Sequence, residues 1–283
     1  MVDKLLVVGS GTMGAGIAQV AVENGIGVLL YDTSQDQLDK ARKTIEGFIQ
    51  KKVEKGKLSA EDKDAIMGRL ELIGDLSEAA HADFVIEAIV ELFAVKTELF
   101  KQLDGILSPE AVIASNTSSL SITEMAESLK DPSRFIGMHF FSPVPLMRLV
   151  EVVKGEKTSE ATLEKALELS KALGKTGISV KDVPGFIVNR FLGHLYKEAI
   201  MMIQEGVATA YAIDTALKLG ANHPMGPCEI MDMAGVDIVY NAYKEKYEKT
   251  GLDEDRMPPL LEQMMREGRL GRKTGEGFYR YDK

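Results

Sequence analysis

Two residues in the stretch FIGMHFFSPVPLMRLVEVV, from 135 to 153, are of the types that acid–base chemistry needs: His139 and Glu151. Val, Ile, Phe and Leu dominate the runs that hold them, and Pro143 and Pro145 between the runs cannot donate to a sheet interior. The stretch therefore predicts two strands joined by a wide loop. If the strands are antiparallel neighbours with His139 opposite Glu151, the loop centres on Pro145 and leaves Ser142 to Arg148 unpaired. An imidazole would then stand directly across from a carboxylate. That arrangement orients the ring and holds it in one tautomer, as a general acid or base near neutral pH requires. A core histidine satisfied by its neighbour is the alternative, and the rest of the chain has to decide between them.

A second chemical signature is KLLVVGSGTMGAGIAQVAVENGIGVLLYD: a buried strand (Leu5 to Val8), a glycine-rich turn, a helix (Met13 to Asn24) and a second strand (Gly27 to Tyr31). Gly9, Gly11 and Gly14 have GxGxxG spacing, which suits a tight turn, close approach of backbone to a pyrophosphate and close packing of helix on strand. The orphan N–H groups and positive dipole end of the helix would face the phosphates. Asp32 ends the second strand eighteen residues beyond Gly14. An acid there can accept from both ribose hydroxyls and repels a 2′-phosphate, and Thr33 rather than Arg follows it, so NAD is favoured over NADP.

The elements that position these groups follow from periodicity. Leu38, Ala41, Ile45, Phe48, Ile49 and Val53 recur at helical spacing from Gln35 to about Lys55. Ser59 then caps a second helix, so residues 35 to 69 form a helical hairpin inserted into the winding of the sheet. Lys52 and Lys55 continue the apolar stripe and would overhang a cleft, where they could meet phosphates; a solvated helix end with cations favoured by the dipole is the alternative. ADFVIEAIVE is a buried strand with Glu87, Glu91 and then Lys96 near its carboxyl end. Open α/β sheets bind ligands beyond strand carboxyl ends, so these three should face the nicotinamide half of a dinucleotide, although Glu87 could equally be a solvated surface carboxylate. AVIASNTSSLSITEMA is another strand, running into Asn116 and Ser118, with a helix capped by Ser121 and Glu124 after it. Asn116 and Ser118 are thereby left at a strand end with hydrogen-bonding capacity and no local partner.

The implied fold class is α/β: a doubly wound, mostly parallel Rossmann-type sheet with a helical-hairpin insertion over residues 1–182, followed by an all-α domain over 183–283. Leu149 to Val153 is the antiparallel exception, and Pro184 and Gly185 mark the boundary. Beyond it, helices are expected from Phe186 to Glu205, Ala210 to Lys218, Pro227 to Lys249 and Pro259 to Arg266. The many methionines there suit a helical core or a dimer interface, with a flexible apolar ligand pocket as the functional alternative.

Composition sets outer limits. A chain of 283 residues exceeds one typical domain, and 45% hydrophobic with 27% charged residues argues against disorder. A net charge of -9 disfavours nucleic acid as a partner, so an anionic substrate needs a local basic patch. The single cysteine, Cys228, excludes an internal disulfide framework. The four histidines (81, 139, 194 and 223) lack HxxxH spacing, so no metal is expected. The first strand begins at Lys4 or Leu5, which leaves no room for a signal peptide, and no apolar stretch suits a membrane span. A cytoplasmic protein is expected.

GSGTMG, Asp32, ASNTSSL, GMHFFSPVPLMRLVEVV, KDVPGFIVNR, GPCEIMDMAGVD and GRKTGEGFY, in this order and at these separations, resemble the L-3-hydroxyacyl-CoA dehydrogenase family over essentially the whole chain. The chain is similar to its short bacterial form, without fused hydratase or transit peptide. The resemblance implies NAD(H)-dependent interconversion of an (S)-3-hydroxyacyl-CoA, 3-hydroxybutyryl-CoA in the short-chain case, with a 3-oxoacyl-CoA. It implies a catalytic pair at His139 and Glu151, with Ser118 and Asn189 holding the reacting oxygen. Lys52, Lys55, Ser118, His139 and Asn189 would bind the acyl-CoA thioester. The cofactor would be held by Gly9, Gly11, Thr12, Met13, Gly14 and Asp32, by Ala88, Glu91, Lys96, Asn116 and Ser118, and by Lys273 in a glycine-rich loop; a solvated basic tail is the other reading of that loop. A homodimer through the helical domain is also implied. Two rival readings are a dehydrogenase of a free hydroxy acid and a non-catalytic, crystallin-like relative. The paired lysines argue against the first, and the presence together of His139, Glu151, Ser118 and Asn189 against the second.

Overall fold

The computed structural model describes residues 2–281. They form two compact units, one ending at Ile187 and one beginning at Val188. The division falls later than the expected 182: Phe186 is buried in a core cluster of the sheet, and the Ile187 N–H donates to Glu151.

The first unit is built on an eight-stranded sheet of β1 (Lys4–Val8), β2 (Gly27–Tyr31), β3 (Leu70–Ile73), β4 (Phe84–Glu87), β5 (Val112–Ser115), β6 (Phe135–Phe140), β7 (Leu149–Lys154) and β8 (Thr176–Lys181). Their order is β3-β2-β1-β4-β5-β6-β7-β8. Strands β1 to β6 are parallel, β7 is antiparallel to β6, and β8 runs parallel to β7. The antiparallel exception thus covers two strands where one was expected. The winding reverses between β1 and β4, the switch point at which open sheets of this kind bind ligands.

Helices α1 (Thr12–Glu23) and α2 (Gln35–Glu54) precede α3 (Ala60–Met67), which Ser59 caps as expected by accepting from the Asp62 N–H. Strand β3, which follows α3, was not expected; its Glu71 is exposed between Leu70 and Ile73, both buried. Helix α4 is Phe93–Ile106, α5 is Ile122–Ala126 and α6 is Glu160–Ala172. One face of the sheet packs under α1, α2 and α6 and the other under α4 and α5.

On the second face Val85, Ile113 and Phe135 are buried side by side, with the Phe100 ring of α4 edge-on to Phe135 at 4.8 Å. Toward the carboxyl ends of the strands this face turns polar. Glu87 is level with Ser115, Ser115 with Gly137, and His139, two residues on, with Glu151. Side chains alternate along a strand, so these polar groups share the face covered by α4 and α5.

The second unit packs α7 (Val188–Gln204), α8 (Ala210–Gly220), α9 (Pro227–Ala234), α10 (Val236–Thr250) and α11 (Pro259–Glu267) around Ile200, Met231, Val236, Leu261 and Met264. The single helix expected from Pro227 to Lys249 is two, because Gly235 at φ 110 interrupts it where an L side chain would be strained. Two buried aspartates organise this unit. Asp214 accepts from the N–H groups of Cys228 and Glu229 at 2.9 and 3.0 Å and from the Tyr279 hydroxyl at 2.7 Å. Asp232 accepts from the Phe278 and Tyr279 N–H groups at 2.8 and 2.9 Å. Burial, then the nearby Asp214 carboxylate, pushes the Cys228 thiol above its usual range. Among the described residues no helix is long and apolar enough to cross a membrane.

Arg134 braces the start of β6 against α4. Its guanidinium lies 2.6 Å from Asp104 Oδ1 and donates to the Ser108 and Ala111 carbonyls at 2.8 and 3.1 Å, with both side chains nearly buried. Arg134→Met should leave the nearly buried Asp104 with Lys130 alone, whose Nζ lies 4.0 Å from Oδ2 and whose N–H donates to it at 3.3 Å, and cost about 3 kcal/mol, read as a lower denaturation midpoint of the whole chain.

Candidate active site

The antiparallel register of β6 and β7 sets His139 opposite Glu151, as the sequence predicts. His139 Nδ1 lies 2.8 Å from Glu151 Oε2, with His139 4% and Glu151 0% exposed. An ionised carboxylate can only accept, so Nδ1 carries the proton and Nε2 of the neutral ring presents its lone pair. Nε2 lies 3.2 Å from the hydroxyl of the exposed Ser118. Glu151 Oε1 accepts from the Ile187 N–H at 3.0 Å.

Apolar rings close the imidazole in. Phe141 and Phe186 have centroids 4.5 and 5.6 Å from that of His139. Phe186 holds a left-handed backbone at φ 49, which for a bulky residue costs on the order of 1–3 kcal/mol. The same turn brings its buried ring to His139 and the next N–H to Glu151. Sequence reading missed both contributions, because Phe186 was expected to start a helix that begins at Val188.

The dinucleotide signature folds as a binding loop. Gly9 has φ 97, and a Cβ there would come 2.6 Å from the Ala88 carbonyl oxygen; one on Gly14 would come 1.8 Å from that of Gly9. Space above Gly11 is open, and no side chain caps α1, whose first residues are Thr12 and Met13. The first-turn N–H groups and dipole of α1 are therefore placed to receive an anion. Asp32 also fixes the loop: its Oδ2 accepts from the Ser10 N–H and hydroxyl at 2.8 Å each, and its Oδ1 from the Ser34 N–H at 3.0 Å. Burial opposes ionisation of Asp32, but the bonds from Ser10, Ser34 and Thr33 together outweigh it and hold the carboxyl below the usual aspartate range. The loop's shape and the uncapped end of α1 thus fit the pyrophosphate of a dinucleotide.

Beyond β4 and β5, Asn116 has a structural partner after all, its Oδ1 accepting from the Phe140 N–H at 2.9 Å. Glu87 is no surface group: it is 0% exposed, with Lys96 Nζ at 2.5 Å, and accepts from the Ser115 hydroxyl and the Ile89 N–H at 2.7 Å each. Lys96, 1% exposed, also reaches Glu91 Oε2 at 3.1 Å. Glu91 Oε1 accepts from the Ser118 N–H at 2.9 Å and from the Thr117 hydroxyl. Burial works against ionisation of Glu91, but Thr117, Lys96 and Ser118 together keep its carboxyl below the usual range.

The remaining candidates lie apart in character. Lys52 Nζ pairs with Glu23 at 2.7 Å, whereas Lys55 is exposed and has no ion pair among the described residues. In the helical unit Asn189 is exposed in the first turn of α7, and Lys273 pairs with Asp237.

Depressed as it is, the Asp32 carboxyl gives stability that is present above the ordinary aspartate value of 3.8 and is lost as pH falls through its lower folded value. Asp32→Asn should therefore be less stable than the unchanged chain at pH 7, with the gap closing below 3.8, when denaturation curves are compared across pH.

Residues 4–183 match the 3-hydroxyacyl-CoA dehydrogenase NAD binding domain, and residues 185–281 match the 3-hydroxyacyl-CoA dehydrogenase C-terminal domain. The chain is 46% identical over 278 residues to a probable 3-hydroxybutyryl-CoA dehydrogenase of Deinococcus radiodurans, covering 98% of this chain and 100% of that one. It is 43% identical to the human mitochondrial hydroxyacyl-coenzyme A dehydrogenase, covering 99% of this chain and 92% of the other. Its structure is similar to the crystal structure of (S)-3-hydroxybutyryl-CoA dehydrogenase from Ralstonia eutropha, with a TM-score of 0.95 and 40% identity over 100% of both chains. With a nucleotide loop, an imidazole–carboxylate pair and matches that span both units, the chain belongs to the 3-hydroxyacyl-CoA dehydrogenase family.

Proposed function

We propose that His139 and Glu151 form the acid–base pair with which this NAD-dependent dehydrogenase interconverts (S)-3-hydroxybutyryl-CoA and acetoacetyl-CoA. The observation that carries this reading is the continuous line from Ser118 Oγ through His139 to the buried Glu151, at 3.2 and 2.8 Å. When bound, NAD supplies the nicotinamide that takes hydride from C3 in oxidation and returns it in reduction. His139 Nε2 takes the proton of the 3-hydroxyl in oxidation and gives it back in reduction. Glu151 steadies the imidazolium and keeps Nδ1 protonated, so the same nitrogen faces the substrate in every turnover. Ser118 donates to the oxygen at C3 or to the thioester carbonyl, where negative charge gathers. Asn189 adds a second donor, and Lys273 a cation for the cofactor, as the resemblance implies.

Preference for NADH over NADPH is supported by Asp32, whose charge repels a 2′-phosphate and which Thr33 follows. Backbone of the Gly9–Gly14 loop, including Thr12 and Met13, meets the pyrophosphate, and Ala88 and Asn116 border the nicotinamide half. Exposed apolar groups on the helical unit, among them Tyr211 at 71% and Leu219 at 84%, support self-association as a dimer. A cytoplasmic site of action is part of the same reading.

Steady-state assays test it. His139→Ala and Glu151→Gln should lower kcat for acetoacetyl-CoA reduction by on the order of 10² to 10⁴ for the first and less for the second, with smaller changes in KM. Unaltered NADH oxidation by either folded variant would defeat the assignment. The unchanged chain should use acetoacetyl-CoA far better than acetoacetate, and NADH better than NADPH.

Lys55 and Lys52 are assigned to the CoA phosphates, with unequal weight because Glu23 already engages Lys52. Lys55→Ala should raise KM for the CoA ester about fivefold, as loss of roughly 1 kcal/mol of charge-assisted bonding gives, and Lys52→Ala should raise it less. Equal KM values for both variants and the unchanged chain would remove the lysines from the site.

A further inference from the structure

Glu87 and Lys96 are buried ionisable groups that the proton transfer itself does not use. They are 0% and 1% exposed and 2.5 Å apart. A buried ion pair is rarely better for stability than apolar residues of the same volume, so its presence under the site calls for another account. Two further partners of Glu87 lie where the strands end at the site. Its Oε1 accepts from the Ile89 N–H in the turn after β4, and its Oε2 from Ser115 at the end of β5. Lys96, in the first turn of α4, carries the line onward to Glu91 at 3.1 Å. Glu91 in turn accepts from the Ser118 N–H at 2.9 Å and from the Thr117 hydroxyl, and Thr117 Oγ1 accepts from the Leu120 N–H at 2.9 Å. Ser118 is the residue whose hydroxyl meets His139 Nε2.

We propose that Glu87 is a positioning residue for the reaction, acting through Lys96 and Glu91 on Ser118. The proposal rests on the role given to Ser118 above. The ammonium of Lys96 sits between two carboxylates, and its pull on Glu91 is set by how much of its charge Glu87 satisfies. With residue 87 made neutral, its amide oxygen can still accept from Lys96, but the charge of the ammonium is then offset by Glu91 alone and draws that carboxylate away from the Thr117 hydroxyl and the Ser118 N–H. The loop from Thr117 to Leu120 then loses its fixed support, and the Ser118 hydroxyl its fixed distance to the imidazole. Small displacements of this kind act on turnover more than on binding, because the reacting geometry is more demanding than the bound one.

The test makes Glu87→Gln in the full chain, alone and together with Ser118→Ala, and follows reduction of acetoacetyl-CoA by NADH, with thermal unfolding as the check on folding. Gln keeps the shape of the side chain and removes its charge. Alone it should lower kcat on the order of tenfold to a hundredfold with KM for the CoA ester little changed, and added to Ser118→Ala it should lower kcat no further. An unchanged kcat for Glu87→Gln overturns the proposal. So does an equal fall with and without the Ser118 hydroxyl, since Glu87 would then act elsewhere. Should Ser118→Ala alone keep full kcat, the role of Ser118 fails and the proposal with it; a damaged Ser118→Ala beside an undamaged Glu87→Gln removes Glu87 only. If Glu87→Gln does not fold, Glu87→Asp replaces it. Drawing the carboxylate back from Lys96 by one methylene should give a smaller fall in kcat, again absent without the Ser118 hydroxyl, and an unchanged kcat overturns the proposal.

Discussion

A carboxylate taken wholly out of water must be met by donors, and the first unit is arranged to meet Glu151. One donor is His139 Nδ1 and another the Ile187 N–H, and each depends on a separate piece of backbone. His139 depends on the register of β6 against β7, where a slip of one residue would turn the imidazole to the opposite face. Ile187 depends on the left-handed turn at Phe186, which would relax if nothing held it. The reversal of chain direction at β7 follows from the same need. A short loop can join neighbouring strands in a fixed register only if they are antiparallel, whereas a parallel partner for β6 would come through a crossover with no such tie.

That pairing was legible in the sequence because both runs are rich in β-forming residues and Pro143 and Pro145 confine the loop between them. The glycine spacing with Asp32 was legible for a similar reason, since local sequence sets a βα turn and the length of one crossover. What was not legible is long-range. Strand β4 is buried on both sides, and in such a strand no alternation of polar and apolar residues tells which way Glu87 points. Lys96 looked like a cation for a ligand, and only the packing of α4 on the sheet shows it between two carboxylates. Asn116 looked unoccupied because its partner, the Phe140 N–H, is on another strand. Ser10 escaped notice inside the glycine motif, although β1 and β2 pair Val8 with Tyr31, a register that carries Ser10 to the level of the residues beside Asp32. Strand β3 is a four-residue edge with a charge in it, too short for a period to show.

The face that carries the chemistry changes character within a few residues. Val85, Ile113 and Phe135 pack under α4 and α5 as an ordinary core, whereas Glu87, Ser115, His139 and Glu151, further along the same strands, bond to one another and to the backbone of the loops. The apolar part fixes the strands, and the strands fix where the polar groups begin. Among the described residues no buried side-chain nitrogen or oxygen is left without a partner, so desolvation of these groups is matched by hydrogen bonds throughout.

Because the partners of each polar group are largely other members of the same network, the contributions cannot be independent. Removing one member leaves another unsatisfied, and the loss includes the neighbour's desolvation as well as the bond itself. Effects of paired substitutions here should therefore depart from the sum of the single ones, unlike those of residues on opposite faces of the sheet. The nucleotide loop shows the same economy on a smaller scale: Asp32 holds Ser10 in place with the oxygen that is also part of its charge. In both places the group suited to a ligand is first a group that fixes the local backbone, which is how a chain without metal-ligand spacing among its histidines can still hold reacting atoms to a defined geometry.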